Sequence, residues 1–250
     1  MAPHSFKRFL LPLLFGTLGV VLLTPLYMYF SHDVKVLRVH YPHMHKEKKD
    51  ISFEIRPGKP EIWVPVNRIS KFAKWAIILS EDWSFYQHQG IDVAQIREAL
   101  LDMVEDGKFR GASTITQQMV KNVFLSEERT IWRKVHEMIL ANKVENALKK
   151  DRILEIYLNV IEFGPDIYGI KKASWHYFKK HPSALNAKEG AFLAMLLPSP
   201  KRYYVSYSKK ELTKFARVRI NEILLKMKMA KVLTESQYED YKKNKLSWEN

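Results

Sequence analysis

The most extended apolar stretch of the chain lies near its amino terminus. Residues 9–30, FLLPLLFGTLGVVLLTPLYMYF, contain no Asp, Glu, Lys or Arg. As a helix they would extend about 33 Å, enough to cross the hydrocarbon core of a bilayer. The run is longer than the apolar core of a signal peptide, and no small-x-small cleavage site follows it. The pattern therefore predicts an uncleaved transmembrane anchor over 9–30, behind a short amino-terminal segment, 1–8.

The segment after the anchor, residues 31–60, is charged and carries the turn-forming sequence RPGKP. This composition predicts a juxtamembrane linker. Three histidines, His40, His43 and His45, lie close enough in sequence to bind a metal, but the chain has no cysteine and no second ligand cluster accompanies them. A solvated stalk is therefore the favoured interpretation, and no metal site is predicted here.

From about residue 61 onward, apolar positions recur at helical spacing. The first helix is marked by Ile69, Phe72, Ala76 and Leu79. The same spacing continues in IDVAQIREALLDMV, TIWRKVHEMILANKVENALKK, KDRILEIYLNVIEFG, NAKEGAFLAMLL and SKKELTKFARVRINEILLKMKMA. Neither an internal repeat nor a convincing run of strands interrupts it. The pattern predicts an all-α domain over 61–250 that closes on the low-apolar tail YEDYKKNKLSWEN.

Composition and charge narrow the choice of partner. A chain of 250 residues that is 46% hydrophobic can bury one domain of ordinary size in addition to the anchor. A formal charge of +14 and a pI near 9.7 indicate an anionic partner. The anchor argues against nucleic acid and favours an anionic membrane surface or a phosphate-bearing substrate.

The orientation of the anchor depends on which rule governs it. More Lys and Arg residues follow the span than precede it, which would place the domain inside the cell by a simple count. Long folded domains translocate largely regardless of their charge. We therefore expect residues 1–8 in the cytoplasm and the folded domain outside the plasma membrane.

The first candidate for chemistry is the acidic pair in LSEDWSFYQHQGID. Glu81 and Asp82 close an apolar helix, so that they lie near the negative end of its dipole, where a charged carboxylate is disfavoured. Such a carboxylate can take up a proton in catalysis. A solvated acidic turn before Gly90 is the competing interpretation. His88 is a weaker candidate base in the same loop.

The second candidate is the polar stretch GASTITQQMVKN. Thr114 and Gln117 fit a capping box preceded by a loop at Gly111, which predicts that a helix begins there. At about 100° per residue, Thr114, Gln117, Gln118 and Lys121 share one arc of that helix. Hydroxyl and amide groups suit a sugar, and Lys121 suits a phosphate. A merely solvated amphipathic helix remains the alternative.

The third candidate lies in RTIWRKVHEMILANKVENAL, which is apolar nearly all round and indicates a buried helix. Glu137 lies on an apolar stripe of this helix, with Arg133 one turn earlier as a possible partner. A structural salt bridge and a functional role are both open. Arg129, Arg133 and Lys134 crowd the start of the helix, and together with Lys121 they could clamp a diphosphate.

In order and wording these segments resemble a known family. EDWSFYQHQGID, RGASTITQQMVKN, RKVHE and ILEIYLN are similar to the motifs of the peptidoglycan glycosyltransferases, glycosyltransferase family 51. The likeness covers about residues 61–230, including YGIKKASWHYF, EGAFLAMLLPSP and RVRINEILLKM. It implies a lysozyme-like helical fold with a small membrane-facing lobe beside a larger one. SYSK, residues 206–209, matches the S-x-x-K motif of penicillin-binding transpeptidases, but no K-T-G or S-D-N follows it, so the match is due to chance. The resemblance therefore implies a monofunctional enzyme without a transpeptidase domain.

The resemblance also implies roles for individual residues. Glu81 would be the general base that takes the proton from the acceptor sugar 4-hydroxyl as lipid II is polymerised with inversion. Glu137 would assist the leaving pyrophosphate directly or through a divalent cation, Mg or Mn, and Lys121 and Arg129 would contact that diphosphate. The remaining family positions that line the cleft are Phe85, Gly111, Ser113 and Gln117.

The implied partners are lipid II, the growing lipid-linked glycan, the membrane and other cell-wall synthesis proteins, in a bacterial plasma membrane. The segment GPDIYGIKKASWHYF departs from the family at Asp166, Lys171 and Lys172, away from every proposed catalytic position. Two other classes stay open. A lytic glycosidase on the same fold would shorten glycan chains, and a glycan-binding module without activity would tolerate the loss of Glu81.

Overall fold

The computed structural model describes a mostly helical protein, as the sequence predicted. It also contains two small antiparallel sheets, which the all-α prediction did not include. The residues described are 23–24, 27–48, 50–106, 111, 113–126, 128 and 130–250. Most of the anchor predicted over 9–30 lies outside them. Within the described part of the chain, no helix is both long and apolar enough to cross a bilayer.

The helices of the domain follow one another with short connections. They are α1 (Lys71–Glu81), α2 (Val93–Asp106), α3 (Ile115–Phe124), α4 (Ile131–Ala147), α5 (Lys150–Val160), α6 (Ile170–Phe178), α7 (Ala187–Leu196), α8 (Pro200–Tyr203), α9 (Val205–Ser208), α10 (Lys214–Met229) and α11 (Glu235–Lys243). Three 3₁₀ helices cover Val34–Arg38, Val66–Arg68 and Pro182–Ala184. The helix expected over 130–150 spans Ile131–Ala147, and the next helix begins at Lys150, where the following helical segment was expected to start.

The linker expected over 31–60 is folded and belongs to the domain. Its 3₁₀ helix buries Val34 and Leu37 completely in the hydrophobic core. A hairpin follows, with strands β1 (Tyr41–Glu47) and β2 (Asp50–Arg56) in antiparallel register. Burial alternates along β2, as a period of two requires for a half-buried strand. The described charged residues of this hairpin lie on its exposed positions.

The segment expected to continue α5 as a helix forms a second hairpin instead. It consists of β3 (Glu162–Gly164) and β4 (Ile167–Tyr168). The low-apolar tail is likewise part of the fold, because α11 packs its Tyr238 inward and Leu246 is buried. Trp248 packs edge-on against Phe192 at 5.1 Å between ring centroids. The domain therefore extends to the end of the chain.

The larger part of the core forms around α7, which is buried along its whole length. α1 and α10 both pack against it. A Cβ on Gly190 would lie 2.8 Å from the Cα of Ala73, so only glycine permits this close approach of α7 to α1. Ser70 begins α1 by accepting a hydrogen bond from the N–H of Phe72. This packing fixes the position of the last residue of α1, Glu81.

A second group of helices, α3, α4 and α5, packs beside the first. The predicted capping box is confirmed, since Thr114 and Gln117 each accept from the other's backbone N–H. α4 is not buried all round, because Ile131 and Trp132 at its start are largely exposed. The loop between α1 and α2 packs on α4 at Gly90, whose φ of +86° suits glycine and where a Cβ would lie 2.9 Å from the backbone of Ala141.

Candidate active site

A cleft of about 1670 Å³ lies where α1, α3 and α4 meet, with β2, the β3–β4 hairpin and α10 around it. Six of the residues proposed from the sequence line this cleft together. They are Glu81, Gly111, Ser113, Lys121, Arg133 and Glu137. The structure therefore brings the two proposed glutamates and three of the polar or basic contacts to one surface. Arg129 lies outside the described residues.

Glu81 ends α1 and points into the cleft, as the sequence indicated. Burial raises the pKa of its carboxyl above the usual range, and this effect outweighs the opposing hydrogen bond from Gln118. The Nε2 of Gln118 donates to Oε2 of Glu81 at 2.9 Å. Arg219 and Lys226, which also line the cleft, favour the charged form more weakly. The site thus holds a carboxylate with a high affinity for a proton.

Tyr157 fixes the orientation of the side-chain amide of Gln118. The hydroxyl of Tyr157 donates to Oε1 of Gln118 at 3.0 Å. Tyr157 is fully buried, and burial raises the pKa of its hydroxyl well above the usual range, so this group stays protonated and acts as a donor. With its oxygen engaged, Gln118 presents its NH₂ group to Glu81. Tyr157, Gln118 and Glu81 form one hydrogen-bonded series.

Asp82, the neighbour of Glu81, joins the end of α1 to the start of α3. Its carboxylate is buried and accepts from the N–H of Ile115 at 2.9 Å and from His88 at the same distance. His88 is thereby engaged in holding the loop and does not line the cleft. The pair of helix ends is fixed by this contact, which places Gln118 opposite Glu81.

Asp82, His88 and Asp92 lie close enough together to hold a cation. Asp92, however, already accepts from the Ser84 hydroxyl and from the N–H of Gln95. The carboxylates at this place therefore act as loop and helix caps. No other group of potential metal ligands occurs among the described residues, and His43 of the amino-terminal histidines instead contacts the carbonyl of Gly58.

Two residues expected to line the cleft lie beneath it. Gln117 is 1% exposed, because its side chain is used in the capping box at Thr114. Phe85 is fully buried, with the ammonium group of Lys150 4.6 Å from its ring centroid. Gln118, one position further along α3, is the amide that faces the cleft. Gln117 and Phe85 thus support the site rather than form its surface.

The start of α4 supplies a basic surface around one buried carboxylate. Glu137 is 2% exposed and accepts from Arg133 at 2.7 Å, which confirms the pairing expected from the sequence. Lys134 also donates to Glu137, and at 2.9 Å to the hydroxyl of Ser113. Lys121 lies on the same cleft with an exposed side chain. Three cations and one carboxylate leave this end of the cleft positively charged, as an anionic group requires.

Sequence reasoning did not identify Tyr157, Arg219 or Lys226 as site residues. Tyr157 lies within ILEIYLN, and both basic residues lie within RVRINEILLKM. These segments carried the resemblance without indicating these side chains. The periodicity of α10 does place Arg219 and Lys226 seven residues apart on one face. Nothing in the sequence indicated that this face borders the end of α1.

Comparison with known proteins places the chain in a family. A family model described as transglycosylase matches residues 49–228, and the chain belongs to this transglycosylase family. Proteins called biosynthetic peptidoglycan transglycosylase are similar to it: one from Thiobacillus denitrificans is 45% identical over 142 residues, 56% of this chain and 61% of that protein. Those from Nitrosomonas eutropha and Alcanivorax borkumensis are 42% and 39% identical, covering 68% and 80% of both chains respectively. The match to the Thiobacillus protein thus spans less than two thirds of that protein's length.

Proposed function

We propose that this protein polymerises lipid II into linear glycan strands by inverting glycosyl transfer, as a monofunctional peptidoglycan glycosyltransferase of the bacterial plasma membrane. The proposal is supported by the family to which the chain belongs and by the names of its relatives. Its main structural support is Glu81, a cleft carboxylate whose pKa is raised by burial, close to a basic surface that suits a diphosphate. Residues 9–30 would anchor the domain on the outer face of the membrane.

In the proposed reaction, Glu81 acts as the general base. The acceptor 4-oxygen attacks the anomeric carbon of the donor, the bond from that carbon to the diphosphate oxygen breaks, and the hydroxyl proton passes to the carboxylate of Glu81. Gln118 holds one oxygen of Glu81, which leaves the other to meet the hydroxyl. The raised proton affinity of Glu81 favours this transfer once the carboxylate is ionised.

The leaving diphosphate is stabilised by the basic surface of Lys121, Arg133 and Lys134 in this proposal. Glu137 holds Arg133 and Lys134 in place rather than binding a metal itself. The described residues do not fit a divalent cation at Glu137, because one of its oxygens accepts from Arg133 and the other from Lys134. Each step is therefore assigned to side chains of the chain itself.

The decisive experiment follows labelled lipid II with the full chain and resolves the products on a gel. The wild-type chain should give long polymers, and Glu81→Gln should slow their formation about a hundredfold to ten-thousandfold. Glu239→Gln, which changes an exposed carboxylate on α11, serves as the control and should polymerise normally. Shortening of preformed strands would indicate a lytic enzyme, and binding without any polymer would indicate a glycan-binding module. Near-normal polymerisation by Glu81→Gln would exclude the proposed base.

A further inference from the structure

Helix α10 carries two apolar faces, of which the described structure covers only one. The face toward the core consists of Ala216, Ile220, Ile223, Leu224 and Met227. The opposite face is a row of residues that we name the α10 stripe. It consists of Phe215, Val218, Glu222, Leu225 and Met229. Its four apolar members are 45%, 48%, 39% and 66% exposed, in chain order.

The spacing of the α10 stripe is three, four, three and four residues, which is the repeat of a helix–helix seam. At about 100° per residue its members fall within an arc of about 80°. A helix that packs on a broad apolar surface usually presents an apolar face of about 100° or more, whereas a helix–helix seam is narrower, so this stripe favours a second helix as the occupant. Phe215 already stacks on Tyr203, with 4.8 Å between the ring centroids.

The residues that flank the α10 stripe decide which helix would fit. Four of the five flanking heptad positions within α10 are basic: Lys214 and Lys228 on one side, Arg219 and Lys226 on the other. The fifth is Asn221. Flanking charges of this kind select the partner helix by attraction or repulsion. A helix that fits the α10 stripe would therefore carry acidic residues at its flanking positions.

Two other occupants are disfavoured by the same charges. A second copy of α10 would place Lys and Arg against Lys and Arg, which is repulsive in either orientation. Residues 1–22 of the chain contain no Asp or Glu and cannot supply the complementary acidic residues. We propose that the α10 stripe is the docking site for an amphipathic helix of another protein, whose flanking positions carry Asp or Glu and whose seam is apolar except opposite Glu222.

The position of the stripe gives this docking a consequence for the cleft. Arg219 and Lys226 form one flank of the stripe and also line the cleft beside Glu81. Arg219 in addition pairs with Glu222 at 2.5 Å. A partner helix on the stripe would therefore lie along the rim of the cleft and place its carboxylates next to Arg219.

The test uses a fluorescent peptide of about three heptads, with Leu in the seam, one Lys to face Glu222, and Glu at the flanking positions. The full chain is held in nanodiscs of neutral phosphatidylcholine at physiological salt, and binding is followed by fluorescence anisotropy. The Glu peptide should bind at least tenfold more tightly than an isomer with Lys at the flanks. The double variant Val218→Gln/Leu225→Gln should lose binding at least tenfold, while keeping its melting temperature.

Two matched charge reversals on α10 distinguish binding at the α10 stripe from attraction to the overall positive charge of the protein. Lys214→Glu changes a flanking position and should weaken binding of the Glu peptide several-fold. Arg217→Glu changes a position that is also exposed but points about 120° away from the centre of the stripe, and should have much less effect. Equal effects of the two reversals would overturn the proposal.

Other outcomes would also overturn it. They are the absence of binding, equal binding of the Glu and Lys peptides, or undiminished binding by the double variant. Binding of added phosphatidylglycerol vesicles that is lost in the double variant would assign the stripe to the membrane surface. Self-association that disappears in the double variant would assign it to a second copy of the chain. None of these readouts depends on the glycosyltransferase activity, so this proposal and the proposed function can fail separately.

Discussion

At the scale of single residues, the burial of Glu81 links the chemistry of the cleft to its stability. The pKa of Glu81 is higher in the folded protein than in the unfolded chain, because burial disfavours the charged carboxylate. The folded state therefore loses stability as the pH rises through this pKa. The same ionisation is needed for a general base, so activity should fall as the pH decreases through it. Catalytic competence and folding stability oppose each other at this residue.

Glu81→Gln should therefore be at least as stable as the wild-type chain at neutral pH. The amide keeps the shape and removes the cost of a buried charge. Its advantage in melting temperature should shrink as the pH falls, because the wild-type carboxyl then becomes neutral as well. Thermal melts of both proteins across a series of pH values measure this difference. A variant that is markedly less stable at neutral pH would show that the carboxylate stabilises the fold.

Tyr157→Phe tests whether the tyrosine positions the base. Without the hydroxyl, the amide of Gln118 is free to turn its oxygen toward Glu81, and the hydrogen bond that lowers the pKa of Glu81 weakens. The acidic limb of the pH–activity profile should then move to higher pH. Tyr177→Phe is the matched control, since the buried hydroxyl of Tyr177 donates to the carbonyl of Phe163 at 2.7 Å. The control should lower the melting temperature without moving the acidic limb, and an unmoved limb in Tyr157→Phe would remove the positioning role.

Lys121 is expected to bind the donor diphosphate, since it is exposed on the basic end of the cleft. Lys121→Ala should weaken donor affinity by the loss of a charge-assisted hydrogen bond, about 1.5–3 kcal/mol or roughly tenfold or more. Lys149→Ala removes an equally exposed ammonium group outside the cleft and should leave affinity unchanged. Direct binding of a labelled donor analogue distinguishes them. Equal affinities for both variants and the wild-type chain would mean that Lys121 is solvated surface.

The sequence predicted the segments that form the site more accurately than the individual side chains that line the cleft. A helical wheel places Gln117 and Gln118 on one polar arc, yet only Gln118 faces the cleft. The side chain of Gln117 does not face the cleft, because it accepts a hydrogen bond from the backbone N–H of Thr114 in the capping box. This local hydrogen bond competes with contact to a ligand. Tyr157 was missed because a fully buried tyrosine in an apolar helix resembles ordinary core.

At the scale of elements, the periodicity of 3.6 residues predicted the helices that pack against the core. α1, α7 and α10 lie in the segments assigned from apolar spacing, whereas α3 begins where its capping box predicted. The hairpin of β1 and β2 was not predicted, because its alternation is short and its exposed positions are strongly charged. Its strands are held by contacts with α3 and α5. Such distant contacts are not visible in a local pattern.

Glu137 of α4 pairs with Arg133 and Lys134, and in the proposed mechanism this pairing serves both stability and activity. Glu137→Gln should reduce polymerisation, because Arg133 and Lys134 lose the carboxylate that holds them at the cleft. It should also lower the melting temperature by several degrees, since leaving a buried partner unpaired costs about 1–3 kcal/mol. Both effects follow from one change on one helix.

Glu145, two turns further along α4, provides the comparison for Glu137. It is also buried and pairs with Lys150 at 2.7 Å, but it does not line the cleft. Glu145→Gln should lower the melting temperature while the remaining folded protein keeps its polymerising activity. Melts and lipid II polymerisation at a temperature where both variants are folded measure the two effects. A Glu137→Gln protein that melts like the wild-type chain would contradict the stabilising pair.

At the scale of the whole molecule, the amino-terminal residues that follow the predicted anchor are part of the folded domain. Lys143 of α4 donates to the carbonyl of His32, and the hydroxyl of Ser31 contacts His136 at 2.9 Å. Burial lowers the pKa of both His32 and His136, and each is therefore held neutral more readily than in the unfolded chain. Acidification should weaken this junction, because depressed histidine pKa values give stability that is lost as the pH falls. The residues that follow the predicted anchor are thus packed against α4.

The predicted anchor and the folded residues that follow it can therefore be tested separately by deletion. Deleting residues 1–22 should leave the melting temperature unchanged, whereas deleting 1–38 removes the fully buried Val34 and Leu37, each worth about 1.5–3 kcal/mol, and should lower it strongly. The shorter deletion should nevertheless weaken polymerisation of bilayer-embedded lipid II far more than that of detergent-dispersed lipid II, because a tethered enzyme meets a lipid-linked substrate at a raised effective concentration. Rates in liposomes and in detergent, measured for the full chain and for both deletions, give the comparison. Equal losses in the two formats for the shorter deletion would show that residues 1–22 do not act by holding the enzyme at the membrane.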